Sequence, residues 1–371
     1  MAKQIFKPAK RIEFINPYNP ADSLWKIKKA KGKKQILKLD WNESPFPPSK
    51  NVINAIKEFL SKKNNINWYP ETFSLELRRE LSKHFGLKAD NYLVTNGCDD
   101  GLDFALRAFL NPKDEVIILS PTYTNFEIYV QTLGNKIKNI TYDNSLLINI
   151  QRIEKSISKK TKLVYIANPN NPTGTLINKQ DINRLLKKFP HVLFLIDETY
   201  YDFSNITVIG LIKSHSNLII ARSFSKAYAL AGLRVGYLIS QKENIDSLLR
   251  IYNARNVNVI AQIAAIHALR DKQYLKNCLN KIKASMDFLV KELNKLKIKV
   301  IATPTNFILV KSNNPKKLVR LLDKEFLFVR DKSDMPQLKG FIRLNLGDIK
   351  MAKHILKLLR NIKKKHSTLF A

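Results

Sequence analysis

Lys226 follows Ser223 by three residues, just beyond an apolar run, in a segment of small and apolar side chains that leads to Arg234. A lysine in such surroundings is a candidate for a depressed pKa and for Schiff-base chemistry. With 64 Lys and Arg in the chain, a lone lysine is ordinarily solvated surface. Ser223 and Arg234 set this one apart, because serine and arginine are the donors that hold a phosphate dianion. Upstream, Asp197 emerges from the apolar run 192–196 and opens Asp197-Glu198-Thr199-Tyr200. A carboxylate leaving such a run is costly unless paired. A protonated pyridine nitrogen would supply the missing cation, and the ring would become an electron sink. Tyr200, three residues on, could reach a phenolic oxygen on that ring.

Two further segments complete the pattern. Thr95-Asn96-Gly97-Cys98-Asp99-Asp100-Gly101 reads as a strand-to-helix turn, where glycine lets the backbone approach a ligand and free N–H groups face a phosphate. Taken alone it is an ordinary helix start. Asn168-Pro169-Asn170-Asn171-Pro172-Thr173-Gly174 reads as a turn. Turn chemistry explains its prolines and glycine but not three asparagines at a strand's end, where an amide could donate to a cofactor oxygen.

These pieces need a rigid frame. Apolar runs at 92–95, 116–119, 163–167, 192–196, 218–221 and 235–239 alternate with helical patterns such as 101–110 and 179–189. Runs without strict alternation fit strands buried on both faces, so the expected class is α/β with a mostly parallel sheet. All four pieces fall at predicted strand ends, where open sheets of this class bind ligands. After about residue 240 the texture changes. A long helical region is expected from 242 to 296, then strands at 300–302, 307–310 and 341–346 and a basic terminal helix, as in a smaller α+β domain. The expected division is a large domain over 43–255, with 1–42 and 256–371 forming an N-terminal arm and the small domain.

Composition excludes several classes. Two cysteines, Cys98 and Cys278, cannot make a disulfide framework and favour a reducing, cytoplasmic setting. No signal-peptide core and no 18-residue apolar run occurs, so no membrane association is expected. The formal net charge of +33 would attract nucleic acid, anionic membranes or phosphorylated metabolites alike. Its lysines are scattered among Ile and Asn, however, and the densest run, 26–34, lacks interleaved aromatics and reads as a solvated loop. No nucleic-acid partner is expected.

With its order of motifs, the chain resembles a fold-type I, pyridoxal-phosphate-dependent aminotransferase of class I/II, and most closely the histidinol-phosphate aminotransferase branch. The resemblance extends to Tyr18-Asn19-Pro20, Asp40-Trp41-Asn42-Glu43-Ser44-Pro45, Tyr69-Pro70, Asn306-Phe307, Val329-Arg330-Asp331 and Ile342-Arg343-Leu344. It implies pyridoxal 5'-phosphate as cofactor, bound covalently by Lys226, which also shuttles the proton. Asp197 would pair with the pyridine nitrogen, Asn171 and Tyr200 would contact the phenolic oxygen, and Tyr123 would stack on the ring. Gly97, the Cys98 and Asp99 amides, Ser223, Ser225 and Arg234 would hold the phosphate, with Tyr69 reaching across from a partner subunit of a homodimer. Arg343 would grip the substrate α-carboxylate, while Tyr18, Asn42, Glu43 and Arg330 match substrate-pocket positions, Tyr18 and Arg330 at a substrate phosphate. The implied reaction moves an amino group between a small phosphorylated amine or keto compound and 2-oxoglutarate/glutamate. Three departures, Trp41, Trp68 and Gly347-Asp348, lie at the substrate end and leave the cofactor residues untouched.

Other readings fare differently. Ser223-x-x-Lys226 also fits the Ser-x-x-Lys of penicillin-binding proteins, but no Lys-Thr-Gly accompanies it. Phospho-amino-acid decarboxylases, and aminotransferases for small phosphorylated ketones in surface-polysaccharide pathways, keep almost the same cofactor residues and stay open.

Overall fold

The computed structural model describes residues 7–17, 20–31, 36–63 and 65–370. Its centre is a seven-stranded sheet. In spatial order its strands are Tyr92–Thr95, Gly236–Ile239, Leu218–Ser223, Leu193–Asp197, Thr161–Ala167, Glu115–Ser120 and Lys136–Thr141. Gly236–Ile239 runs antiparallel to both neighbours, and the remaining pairings are parallel. All six expected strands are present. The edge strand Lys136–Thr141 has no expected counterpart, since its KIKNIT sequence carries only isolated apolar residues and draws its pairing from Glu115–Ser120.

Helices cover both faces because the strands bury both. Lys179–Lys188 turns Ile182, Leu185 and Leu186 inward, and Asn178 caps its start by accepting from the Asp181 N–H at 2.8 Å. Each such aliphatic side chain removed from water contributes ~1.5–3 kcal/mol. Cys98–Phe109 lies on the opposite face, with Leu102, Ala105 and Leu106 packed against Leu93, Leu163 and Leu238.

The expected helix over 242–296 is three helices: Lys242–Leu249, Val259–Arg270 and Lys272–Lys295. The breaks follow local hydrogen bonds. The Tyr252 hydroxyl donates to the Val94 carbonyl at 2.7 Å, and the Asn258 and Asp271 side chains cap the two following helices. Val257, Ala261, Ala264 and Leu269 join the core cluster of the large sheet, so that core continues past residue 255.

A four-stranded antiparallel sheet forms the smaller unit, ordered Arg330–Asp331, Phe341–Asn345, Phe307–Lys311 and Val300–Ala302. The amphipathic helix Ile349–Lys365 buries Ile355, Leu359 and Ile362 in the same cluster as Ile308, Ile342 and Leu344. Leu37–Lys38 pairs in parallel with Leu327–Phe328, which ties the chain's early segment to this unit. The basic run also needs correction. Residues 24–31 form the helix Leu24–Lys31, with Ile27 buried, because nothing in 24–31 breaks a helix before Gly32.

Contacts between the two units are close. A Cβ at Gly174 (φ +74°) would lie 2.4 Å from the Thr303 Cβ, so only glycine fits the approach. The Asn306 amide donates to the Asn42 carbonyl at 3.1 Å, and the Asn345 amide to the Glu43 carbonyl at 2.9 Å. A cavity of about 1040 Å³ is lined by Asp197, Lys226 and Arg234 from the larger unit and by Arg330 and Arg343 from the smaller.

Candidate active site

Asp197 ends the strand Leu193–Asp197, and Glu198, the next residue, turns to the opposite face. Glu198 faces the core, where it meets Arg222 at 2.8 Å and also accepts from Thr207 and the Val208 N–H. That pair is complete. Asp197 faces the cavity, accepting from the Tyr165 hydroxyl and the Thr199 N–H, both at 2.9 Å. Among the described residues it has no ion-pair partner, and burial raises its pKa. Cys98 Sγ lies 3.9 Å from its Oδ1.

Above the sheet's end, the helix Cys98–Phe109 begins at Gly97 (φ +89°) without a side-chain cap, leaving the first-turn N–H groups directed outward. A Cβ at Gly97 would stand 2.6 Å from Arg234 Nη2, so the missing side chain is the space the guanidinium fills. Arg234 adopts φ +53°, a left-handed conformation costing ~1–2 kcal/mol. Its Nη2 lies 3.2 Å from Asp99 Oδ2, while the Tyr123 hydroxyl donates to Oδ1 at 2.8 Å. Ser223 ends its strand, and its hydroxyl accepts from the Ser225 N–H at 3.1 Å.

Lys226, half-buried, points its amine at the Trp41 carbonyl, 3.0 Å away. Burial first, and the charge of Arg343 second, bring its pKa down to about 8. Burial likewise pushes the Tyr200 phenol up to about 12. Its oxygen accepts from the Asn42 amide at 2.9 Å. Asn42 is therefore buried behind Tyr200 instead of facing the cavity. Arg343 Nη1 donates to Asn171 Oδ1 at 2.6 Å, which leaves the amide N–H₂ of Asn171 as its outward donor. Arg343 Nη2 donates to the Asp40 carbonyl at 2.5 Å.

The far end of the cavity carries Glu43, Arg330 and Arg343, with Lys38 bridging Asp40 at 2.6 Å and Glu43 at 3.2 Å. Lys38 Nζ also sits 3.6 Å from the Trp41 ring centroid. Tyr69 is 78% exposed, under the Arg255 guanidinium, and does not line this chain's cavity. Tyr18 lies outside the described residues. The sequence reading passed over Tyr165, Thr199 and Lys332. Tyr165 was signalled only as the one hydroxyl in the run 163–167, and Lys332 by its place two residues after Arg330.

Residues 34–359 match the family described as aminotransferase class I and II. The chain belongs to that family. Over 363 residues it is 34% identical to the dihydroxyacetone phosphate transaminase of Campylobacter jejuni subsp. jejuni serotype O:2, covering 96% of this chain and 97% of that one. With the histidinol-phosphate aminotransferase of Moorella thermoacetica it shares 30% identity over 355 residues, 94% of this chain and 91% of that one. The solved histidinol-phosphate aminotransferase of Sinorhizobium meliloti, in complex with pyridoxal-5'-phosphate, superposes with a TM-score of 0.86. Identity there is 24%, over 98% of this chain and 100% of that one.

This aminotransferase is thus a fold-type I, pyridoxal-phosphate-dependent transaminase. The residues present suit that cofactor. A buried carboxylate lacks a cation, an uncapped helix start adjoins an arginine, and a lysine amine is held below its ordinary pKa. Among the described residues no helix is long and apolar enough to cross a membrane, and no cluster of His, Cys, Asp and Glu could hold a metal.

Proposed function

We propose that this aminotransferase moves an amino group between glutamate and a small phosphorylated carbonyl compound, histidinol-phosphate-like in class, with 2-oxoglutarate as the shared keto acid. The observation carrying this reading is the position of Arg330 directly across the sheet from Arg343, both lining one end of the cavity. One arginine suits an α-carboxylate bound bidentately; a second makes room for a phosphate monoester. The Campylobacter jejuni relative, named for a three-carbon phosphorylated ketone, supports the phosphate more than the imidazole. Trp41, which lines the cavity, is consistent with a small substrate.

Within that reading Lys226 binds the cofactor covalently and carries the proton to and from the substrate Cα. Asp197 holds the pyridine nitrogen protonated, and Tyr165 and Thr199 keep its two oxygens aimed at it. The cofactor, once bound, supplies the electron sink. Asn171 and Tyr200 donate to the phenolic oxygen, with Asn42 orienting Tyr200. Tyr123 covers the ring. The Gly97, Cys98 and Asp99 backbone, Ser223, Ser225 and Arg234 take the phosphate. Tyr69, exposed on its own chain, fits a residue completing the site of a second copy in a homodimer. Two free, buried thiols suit a cytoplasmic setting.

The test is a screen of purified enzyme with glutamate as donor against imidazole acetol phosphate, dihydroxyacetone phosphate and their dephosphorylated forms, following 2-oxoglutarate. A preference for either phosphorylated acceptor supports the reading. Equal rates with and without phosphate would reduce it to a plain amino-acid aminotransferase, and carbon dioxide from a phospho-amino acid would favour a decarboxylase.

A further inference from the structure

Lys332 is an unexplained cation. It follows Arg330–Asp331, and its N–H donates to the Phe341 carbonyl at 3.0 Å, carrying the ladder one step beyond the strand. Side chains alternate along such a ladder, so Arg330 and Lys332 share a face, and Arg343, opposite Arg330, shares it too. All three line the cavity. Like charges set across a sheet repel, and here three share one face. Asp331 spends Oδ1 on the Ser333 N–H and hydroxyl, at 2.8 and 2.6 Å. Asp334 is exposed in the turn that follows. Arg343 is committed to Asn171 and the Asp40 carbonyl. The amine of Lys332 makes no hydrogen bond or ion pair among the described residues, although the residue is only partly exposed.

Such a placement is costly for an ammonium. Burial, then the charges of Arg343 and Arg330, pull its pKa down to about 7, against weaker opposition from Asp334 and Asp331. A surface lysine would turn to water and escape this cost. Among the described residues no carboxylate pairs with this amine, which is left facing the cavity.

We propose that Lys332 is a specificity-determining residue that binds a phosphoryl oxygen of the substrate beside Arg330, leaving Arg343 for the carboxylate of the amino donor. The inference rests on the phosphorylated-substrate reading above and adds to it which side chain selects the phosphate. A monoester dianion has three acceptor oxygens and nearly two charges at neutral pH, which one guanidinium does not satisfy. A carboxylate, with two oxygens and one charge, is already served by Arg343.

The experiment uses holoenzyme, wild type beside Lys332→Met and Lys332→Arg. Steady-state kinetics are measured with dihydroxyacetone phosphate, dihydroxyacetone and glutamate, with inorganic phosphate as a competing probe. Lys332→Met should raise the KM for the phosphorylated ketone and weaken inhibition by inorganic phosphate by about 10- to 100-fold, shifting the KM for glutamate far less. Lys332→Arg should recover most of the loss. If the wild type prefers the phosphorylated ketone and Lys332→Met keeps that preference, the role of Lys332 is overturned while the phosphate reading stands. If Lys332→Met weakens glutamate as much as the phosphorylated ketone, Lys332 is a general or structural cation and the proposal fails. If the wild type ignores phosphate altogether, the substrate reading fails and takes this role with it.

Discussion

At the end of the cavity floored by the seven-stranded sheet, Asp197 is a buried carboxylate served only by neutral donors, with a lysine amine held near pKa 8 in the same cavity. At the end formed by the four-stranded sheet the imbalance is reversed. Arg330, Lys332 and Arg343 crowd one face, and a second lysine is held near 7. Among the described residues Asp197 has no ion-pair partner at one end, and the Lys332 amine has none at the other. Between them, Asn171 and Arg343 are hydrogen-bonded to each other, which links the two ends directly. On the proposed reading a cationic ring nitrogen would meet Asp197 at one end, and an anionic substrate group would meet Lys332 and Arg330 at the other.

Removing Lys226 strikes the first end hardest. Lys226→Ala should lose roughly 10⁴-fold or more in turnover, because nucleophile and proton carrier go together. Borohydride reduction of the wild type should fix the cofactor to the peptide bearing Lys226; labelling elsewhere would refute the assignment.

Asp197→Asn keeps the shape and deletes the charge. Turnover should fall by about 10²- to 10³-fold, far more than cofactor occupancy. The same change should raise the melting temperature of the cofactor-free protein at neutral pH. A carboxylate whose folded pKa is raised destabilises the fold above that pKa, and asparagine removes this cost. A lower melting temperature would mean that Asp197 is stabilised in place and not left short of a cation.

The opposite end predicts a split. Arg330→Ala should weaken a phosphorylated substrate by roughly 10- to 100-fold and spare glutamate, whereas Arg343→Ala should do the reverse. Matching losses for both substrates in both variants would dissolve the distinction between two anion seats.

The smallest effect concerns pH. Attack on the cofactor needs the neutral amine, and the lowered pKa of Lys226 makes that form available earlier. Capture of added pyridoxal phosphate by the cofactor-free enzyme should quicken as pH rises through about 8 and then level off. An ordinary lysine would keep gaining to beyond 10.

Most of the cofactor end was legible in the residue order. Asp197 closes a strand grown from an apolar run, and the Gly97 turn and Lys226 follow two others within three residues. Arg234 stands just before the strand that returns antiparallel, so all four reach the same edge of the sheet. The run 116–119 became Glu115–Ser120, and 163–167 became Thr161–Ala167, each from its local apolar run. Where local signals were weak, the reading failed. Lys136–Thr141 needed a neighbour's ladder to become a strand, and the helix over 242–296 was divided by Tyr252, Asn258 and Asp271, whose effects depend on tertiary or capping bonds.

The substrate end shows the other limit. Arg343 and Asn171 lie 172 residues apart, and Asn42 meets Tyr200 across 158. No periodicity encodes such pairs. The sequence by itself determined which chemical groups exist and which strand ends they follow, because backbone propensity and apolar runs are properties of neighbouring residues. Only the tertiary structure decided that Asn42 stands behind Tyr200, that Glu198 is paired while Asp197 is not, and that Lys332 joins two arginines. Charge balance depends on what lies within a few ångströms in space, and folding alone brings those groups together.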